Sequence, residues 1–207
     1  MIAHHLRRVA LTALLVLAAG SVEAAASLSG PGLASALKSG GYVILMRHAS
    51  SPAKPPEKGA AQPDNLAVER ELDAPGRDSA RAMGEALKAL RLPIATVYSS
   101  PTYRALQTVK LASLPSGQTF PELGDGGQSM QTLGQGPGAW LRSKVGEVPR
   151  TGTDTLIVTH LPNITAAFGS SAPEVKDGES LVFRPDGKGG AELVGRIPIE
   201  EWPQLAK

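Results

Sequence analysis

The stretch Tyr42-Val43-Ile44-Leu45-Met46-Arg47-His48-Ala49-Ser50 decides the fold. Its first five residues are apolar or aromatic and carry no charge, which is typical of a strand buried on both faces of a parallel sheet. Such a strand cannot hold Arg47 and His48 in its middle. The sequence therefore predicts that the pair lies at the carboxyl end of the strand, where open α/β sheets bind their ligands.

A second stretch, Thr155-Leu156-Ile157-Val158-Thr159-His160, repeats this pattern of an apolar run that ends in a histidine. The chain has four histidines, and two of them, His4 and His5, fall in an N-terminal segment that we expect to be removed. A single histidine at a strand end is most often structural. Because both remaining histidines occupy this kind of position, and one follows an arginine, the pattern favours a functional site.

The composition is that of one globular domain. The chain has 207 residues, of which 42% are hydrophobic and 19% charged, enough for a sizeable core. A net charge of +2 does not favour a nucleic acid or an anionic membrane as partner. The absence of cysteine excludes disulfides, thiol catalysis and cysteine-bound zinc.

The N-terminus has the features of a signal peptide. Arg7 and Arg8 precede an apolar run over 9–19 that is too short to span a bilayer, and Ala24-Ala25-Ala26 offers a small-residue cleavage site. We expect residues 1–26 to be a signal peptide and 27–207 a single domain that is periplasmic or secreted, without stable membrane insertion after cleavage. An uncleaved anchor is the alternative.

The remaining pattern alternates helices and strands, as in an α/β fold. Strands are predicted over 42–46, 94–98, 119–120, 154–159, 180–183 and 191–197, and helices over 33–38, 75–90, 139–145, 162–168 and 199–205. Ser100 is predicted as the N-cap and Pro101 as the first residue of one more helix, which places Arg104 in its first turn. Arg77 and Arg81 are expected to be solvated.

A polar loop over 50–65 contains four prolines and two cations, Lys54 and Lys58. Loops of this length in compact domains are usually functional or disordered. The two lysines are expected to be solvated; the alternative is a lid over an anionic ligand.

The basic residues at the strand ends suit a phosphate. Arg47 and Arg104 are permanently cationic, and their guanidinium groups match phosphate oxygens. His48 and His160 add further hydrogen bonds, and a neutral imidazole nitrogen is a competent nucleophile for phosphoryl transfer. From the residues alone, the prediction is a phosphate site with a candidate histidine nucleophile.

Four blocks resemble the histidine phosphatase superfamily, which includes acid phosphatases and phosphoglycerate mutases. They are Val43-Ile44-Leu45-Met46-Arg47-His48, Leu72-Asp73-Ala74-Pro75-Gly76-Arg77, Tyr98-Ser99-Ser100-Pro101-Thr102-Tyr103-Arg104-Ala105 and Val158-Thr159-His160. The resemblance implies a phosphoglycerate mutase-like three-layer α/β sandwich with a mostly parallel central sheet flanked by helices. It also implies a phosphohistidine intermediate on His48, a phosphate pocket of Arg47, Arg104 and His160, and no metal or other cofactor.

The sequence departs from the family pattern at two positions. Ala49 stands where the family usually has glycine after the Arg-His pair, and Leu161 stands where one branch has an acidic residue after the second histidine. The general acid must then come from elsewhere. The other branch has a glutamate in the segment that contains Glu122 and Asp125, so Glu122 ranks first and Asp125 second; both could equally be solvated loop acids.

The sequence therefore predicts an exported, metal-independent phosphatase that hydrolyses a phosphomonoester through a phosphohistidine on His48. A phosphomutase and a non-catalytic phosphate-binding module of the same fold are the alternatives. The expected partner is a small phosphorylated substrate, for which a sugar phosphate is one candidate, and not a nucleic acid.

Overall fold

The structure is a computed structural model that describes residues 27–125, 136–172 and 174–207. The predicted signal peptide and the centre of the glycine-rich stretch after Asp125 lie outside the described residues. The strands are β1 (Val43–Arg47), β2 (Ile94–Ser99), β3 (Gln118–Thr119), β4 (Asp154–Thr159), β5 (Ser180–Pro185) and β6 (Ala191–Ile197). The α-helices are α1 (Gly30–Lys38), α2 (Ala74–Ala89), α3 (Tyr103–Leu111), α4 (Pro137–Val145), α5 (Leu161–Phe168) and α6 (Trp202–Leu205). Short 3-10 turns cover Lys58–Ala60, Pro121–Leu123, Gly169–Ser171 and Ile199–Glu201.

The described strands form one sheet in the order β3-β2-β4-β1-β5-β6. The first four in this order are parallel, whereas β5 and β6 form an antiparallel hairpin at one edge. The predicted mostly parallel sheet and the hairpin are thus confirmed. In the described ranges no helix is both long enough and apolar enough to cross a membrane.

The central strand β1 is covered by a helical layer on each face. Ile44 and Met46 belong to a core cluster with α1, α2, α3 and α6, while Val43 and Leu45 belong to a second cluster with α4 and α5. All four side chains are fully buried. Alternate residues of a strand point to opposite faces, so an uninterrupted apolar run is what two covered faces require. This arrangement confirms the three-layer sandwich.

The strand register aligns three strand ends at the same edge of the sheet. Arg47 pairs with Thr159 across β1 and β4, and the backbone N–H of His48 donates to the Thr159 carbonyl over 3.0 Å. On the other side of β4, the Ser100 N–H donates to the Val158 carbonyl over 2.9 Å. The residues that follow these three strands are therefore neighbours.

The start of α3 differs from the sequence prediction. The helix begins at Tyr103 with Thr102 as its N-cap residue, not at Pro101 after a Ser100 cap. The prediction was wrong because the backbone of Ser100 still pairs with β4, and its hydroxyl lies 2.9 Å from the ring of His160. The hydroxyl of Thr102 also contacts His160 and caps no backbone N–H. Two hydroxyls that could cap a helix thus lie against a histidine ring.

The N-terminus of α2 holds the chain that leaves β1. One oxygen of Asp73 caps the helix by accepting from the Gly76 N–H over 2.7 Å, and the other accepts from the Ser50 hydroxyl over 2.7 Å. A Cβ on Gly76 would lie 2.1 Å from the Ser50 carbonyl oxygen, so only glycine permits this approach. These contacts fix the backbone two residues beyond His48.

Candidate active site

The two histidines that follow β1 and β4 lie side by side. Their ring centroids are 5.0 Å apart, and the side chains are only 3% (His48) and 2% (His160) exposed. The parallel register of β1 and β4 accounts for this proximity, because the carboxyl ends of parallel strands meet at one edge. The pairing of two strand-end histidines that the sequence predicts is therefore present in the fold.

The hydrogen bonds of His48 define which ring nitrogen carries its proton. Nδ1 lies 2.7 Å from the Ala49 carbonyl oxygen, and the Nε of Arg104 donates to Nε2 over 3.2 Å. A guanidinium group has no acceptor, so Nε2 must offer a lone pair and Nδ1 must carry the hydrogen. The Nδ1 contact uses the backbone carbonyl of residue 49, so it does not depend on whether the residue is alanine or glycine.

Burial is the main reason why His48 stays neutral. Burial, together with the charges of Arg104, Arg47 and Arg70, lowers the pKa of His48 from 6.5 to about 4, while the hydrogen bond to Ala49 acts in the opposite direction. The imidazole is therefore neutral at physiological pH. A neutral ring with an unprotonated Nε2 is the form that can act as a nucleophile.

His160 is anchored on both sides of its ring. Its Nδ1 accepts from Arg104 Nη2 over 3.2 Å, and its Nε2 lies 2.9 Å from Ser100 Oγ and 3.1 Å from Thr102 Oγ1. Burial lowers the pKa of His160, and the neighbouring Arg104 and His48 act in the same direction. This ring is also neutral.

Arg104 lies between the two histidines and is 4% exposed. Besides its bonds to both rings, its Nη2 forms an ion pair with Asp125. Because α3 begins immediately after the Ser100–Thr102 turn, the first turn of the helix carries Arg104 into the pocket. The structure therefore places Arg104 beside the two histidines, as the sequence predicts.

Arg47 lies at the edge of the same pocket but points toward the segment before β5. Its Nη1 donates to the Val175 carbonyl over 2.9 Å, and its Nη2 pairs with Asp177 at 2.6 Å. The buried Nε has no hydrogen-bond partner among the described residues. A buried donor without a partner is costly, which makes this N–H available for an anionic ligand.

Arg70 is a pocket cation that sequence reasoning missed. Its charge helps to lower the pKa of both histidines, so it acts on the same small region as Arg104. Its Nε donates to the Pro52 carbonyl over 2.6 Å and its Nη2 to the Ser51 carbonyl over 3.2 Å. Arg70 belongs to a loop rather than to a strand end, so no periodic pattern marks it. Lys54 and Lys58, the two cations of the 50–65 loop that were considered from the sequence, are exposed.

The two candidate acids have different surroundings. Asp125 pairs with Arg104 and so lies in the pocket, whereas Oε2 of Glu122 is buried without a hydrogen-bond partner among the described residues. The sequence ranks Glu122 first because of its family segment and its longer reach. The contacts favour Asp125, and a catalytic role for Glu122 stays a prediction.

Arg77 is not the solvated residue that the helical pattern predicts. Its Nη1 donates to the Leu72 carbonyl over 2.6 Å, whereas Arg81 is half exposed and pairs with Asp78. Arg81 is therefore the suitable reference for a surface arginine of α2.

The charges of the pocket nearly balance. Three arginines face two carboxylates, Asp125 and Asp177, and both histidines are neutral, so one net positive charge remains. Within the described ranges no group of three or more histidine, aspartate or glutamate side chains is arranged to hold a metal ion. Arginines that bind phosphoryl oxygens, beside a neutral histidine with an unprotonated Nε2, can bind and attack a phosphoryl group.

Comparison with known proteins agrees with this site. The family model of the histidine phosphatase superfamily (branch 1) matches residues 43–125, which include β1, Arg104 and Asp125. No curated protein matches the chain. The match confirms the resemblance to the histidine phosphatase superfamily that the four sequence blocks indicate.

Two solved structures have the same fold. The protein histidine phosphatase SixA, complexed with tungstate, is 22% identical, with 77% of this chain and 98% of that chain covered and a TM-score of 0.55. A SixA structure from Agrobacterium tumefaciens is 16% identical, with 77% and 98% covered and a TM-score of 0.52. At these identities the likeness extends to the fold alone.

The low pKa of His48 leads to a prediction. In the ligand-free protein we expect the His48 ring to stay neutral until the pH falls to about 4, since burial and the arginines disfavour its charged form. An NMR titration of the ring measures this. Arg104→Met should raise the pKa because one cation is removed, while Arg81→Met, at a half-exposed surface site, should leave it unchanged. A wild-type pKa near 6.5 would contradict the burial argument.

Proposed function

We propose that the chain is a phosphatase that hydrolyses a phosphomonoester through a phosphohistidine intermediate on His48. The observation that carries the proposal is the Arg104 guanidinium held between two neutral histidines, with the lone pair of His48 Nε2 directed at it. This arrangement suits a phosphoryl group. The guanidinium can donate hydrogen bonds to the phosphoryl oxygens, and the nearby imidazole nitrogen can attack the phosphorus. The match of residues 43–125 to the superfamily model supports the same chemistry.

Substrate binding must free the nucleophile. In the ligand-free site Arg104 Nε donates to His48 Nε2, which blocks the lone pair. Phosphate oxygens are stronger acceptors for a guanidinium than an imidazole nitrogen, because the hydrogen bond is then charge-assisted on both sides. The arriving phosphoryl group takes over this donor, and Nε2 becomes free to attack phosphorus. Binding of the substrate and exposure of the nucleophile are thus one event.

The remaining cations complete the phosphate pocket. The unpartnered Nε of Arg47 and the charge of Arg70 lie around the same histidines as Arg104. Phosphoryl transfer depends mainly on positioning and on stabilising charge at the phosphoryl oxygens, and three fixed guanidinium groups supply both. No step of this scheme requires a metal ion, so we propose metal-independent catalysis.

Asp125 is the proposed general acid. The arriving phosphoryl group displaces Asp125 from Arg104, and the freed carboxylate takes up a proton from water. In the first step the His48 N–P bond forms, the ester P–O bond breaks, and the leaving alkoxide takes this proton from Asp125. In the second step a water attacks phosphorus, the N–P bond breaks, and the water returns a proton to Asp125, which releases inorganic phosphate. The contact of Asp125 with Arg104 supports this role. A carboxyl donor matters for an oxygen leaving group, so we favour phosphate esters, with sugar phosphates as candidates.

The nucleophile is tested by His48→Ala. We expect this variant to keep its fold and to lose at least about a thousandfold in kcat, because no other described side chain offers a lone pair at the same point. Rapid quenching of the wild-type protein should trap a phosphoenzyme that is labile in acid and stable in base. Arg81→Ala is the control for a remote change. Turnover by His48→Ala close to wild type would exclude the mechanism, and binding of phosphate without any turnover would favour the non-catalytic alternative.

The general acid is tested by comparing two leaving groups. Asp125→Asn should slow hydrolysis of an alkyl phosphate roughly a hundredfold, the usual scale of general acid catalysis, and affect a nitrophenyl phosphate much less. Nitrophenolate leaves without a proton, which explains the difference. Glu122→Gln is the matched variant, and we expect it to change neither rate appreciably. A selective loss in Glu122→Gln with a normal Asp125→Asn would reverse the assignment.

We further propose that the protein is exported. The support is the pattern of residues 1–26, with its Arg7-Arg8 pair, short apolar run and alanine-rich end. Expression in a Gram-negative host should yield a periplasmic protein whose N-terminal sequence begins near residue 27. A full-length chain that remains in the membrane fraction would favour the uncleaved anchor.

A further inference from the structure

Two hydroxyl groups contact the same nitrogen of His160. Ser100 Oγ lies 2.9 Å and Thr102 Oγ1 lies 3.1 Å from Nε2, and the two hydroxyls are 3.1 Å from each other. Ser100 is fully buried, and Thr102 and His160 are each 2% exposed. A contact of this kind, away from bulk water, has no competing solvent partner.

The opposite side of the ring fixes the direction of these hydrogen bonds. Arg104 Nη2 lies 3.2 Å from Nδ1 of His160. An arginine can only donate, so Nδ1 of the neutral ring is the acceptor and the ring proton must be on Nε2. Hydroxyl oxygens can donate or accept, and here they must accept from Nε2–H. The Thr102 backbone N–H donates to Ser100 Oγ over 3.2 Å, which orients that oxygen toward the ring.

His48 has the reverse arrangement. Its Nδ1–H donates to the Ala49 carbonyl, and its Nε2 accepts from Arg104. The two histidines therefore face Arg104 with lone pairs from different ring positions, Nε2 in His48 and Nδ1 in His160. One guanidinium is held by two acceptors, and each acceptor is fixed by a hydrogen bond on the far side of its ring.

We propose that Ser100 and Thr102 hold the proton of His160 on Nε2, so that Thr102 is a positioning residue for Arg104 and acts through His160. In the ligand-free site His160 Nδ1 is then an acceptor that orients the guanidinium of Arg104. The kinetic part of the inference rests on the proposed phosphatase function, whereas the assignment of the proton does not.

The proton assignment is measured on the wild-type protein. Two-bond 15N–1H NMR correlations distinguish the two neutral forms of a histidine ring, and a His160→Gln variant identifies the signals of His160. At neutral pH we expect His160 with its proton on Nε2 and His48 with its proton on Nδ1. Because the two rings are expected to carry their protons on different nitrogens, the spectrum of each ring is an internal control for the other. A His160 ring with its proton on Nδ1 overturns the proposal, whether or not the protein turns over a substrate.

Variants of the hydroxyls test the role of Thr102. Thr102→Val keeps the shape of the side chain and removes the hydroxyl, so we expect roughly a three- to tenfold loss of kcat on nitrophenyl phosphate, the scale of one neutral hydrogen bond. Thr102→Ser keeps the hydroxyl and should recover most of this loss. In the double variant Ser100→Ala/Thr102→Val the loss should be larger, and the share of the form with its proton on Nδ1 should rise.

Comparison of Thr102→Val with Thr102→Ser distinguishes a loss of the hydroxyl group from a loss of folding. Thermal unfolding of Thr102→Val and Thr102→Ser establishes that both are folded under the assay conditions. Equal kcat values for Thr102→Val, Thr102→Ser and wild type would overturn the role of Thr102. If no variant, including the wild type, hydrolyses any phosphate ester, the proposed function fails while the NMR result on the His160 proton still decides the inference.

Discussion

The buried guanidinium of Arg104 is the constraint on which the rest of the site depends. A charge that is 4% exposed is costly unless it is paired and hydrogen-bonded, and the fold provides Asp125 and the lone pairs of two imidazoles. Those lone pairs exist only while the histidines are neutral. The arginine disfavours a second positive charge nearby, and burial acts in the same direction. Arginine and histidines thus keep each other in the states that phosphoryl transfer needs.

The positions of these groups follow from the pairing of three parallel strands. The register of β1 on β4 places the residue after Arg47 next to the residue after Thr159, and the register of β2 on β4 brings Ser100 alongside. A shift of one residue in either pairing would move a histidine to the other face of the sheet. The fully buried apolar residues of β1 and β4 prevent such a shift, because both faces are already covered. Core packing therefore fixes the geometry of the pocket.

Sequence reasoning was most successful where the core determines the structure. The apolar runs that end at His48 and His160 identify the two central strands, because no other element explains an uninterrupted run followed by polar residues. The same reasoning failed for residues whose place depends on loops. Arg70, Asp177 and Thr102 belong to irregular segments. Only the tertiary fold brings Arg70 and Thr102 to the histidines and Asp177 to Arg47. The ranking of Glu122 over Asp125 rested on the family segment and on reach. The contact with Arg104 favours Asp125, and the choice between the two acids stays a prediction.

The two ion pairs of the pocket bear on the ligand that it can accept. Arg104 is paired with Asp125 and Arg47 with Asp177, so a phosphate must compete with a resident carboxylate at each of these arginines. Arg70 differs, because among the described residues its hydrogen bonds go to two backbone carbonyls and it forms no ion pair. Asp125 and Asp177 act on Arg70 only through their charge, so a phosphate displaces no carboxylate from direct contact with this arginine. As inorganic phosphate departs, Asp177 can return to Arg47, and Asp125 can return to Arg104 once it has lost the proton that it received from water.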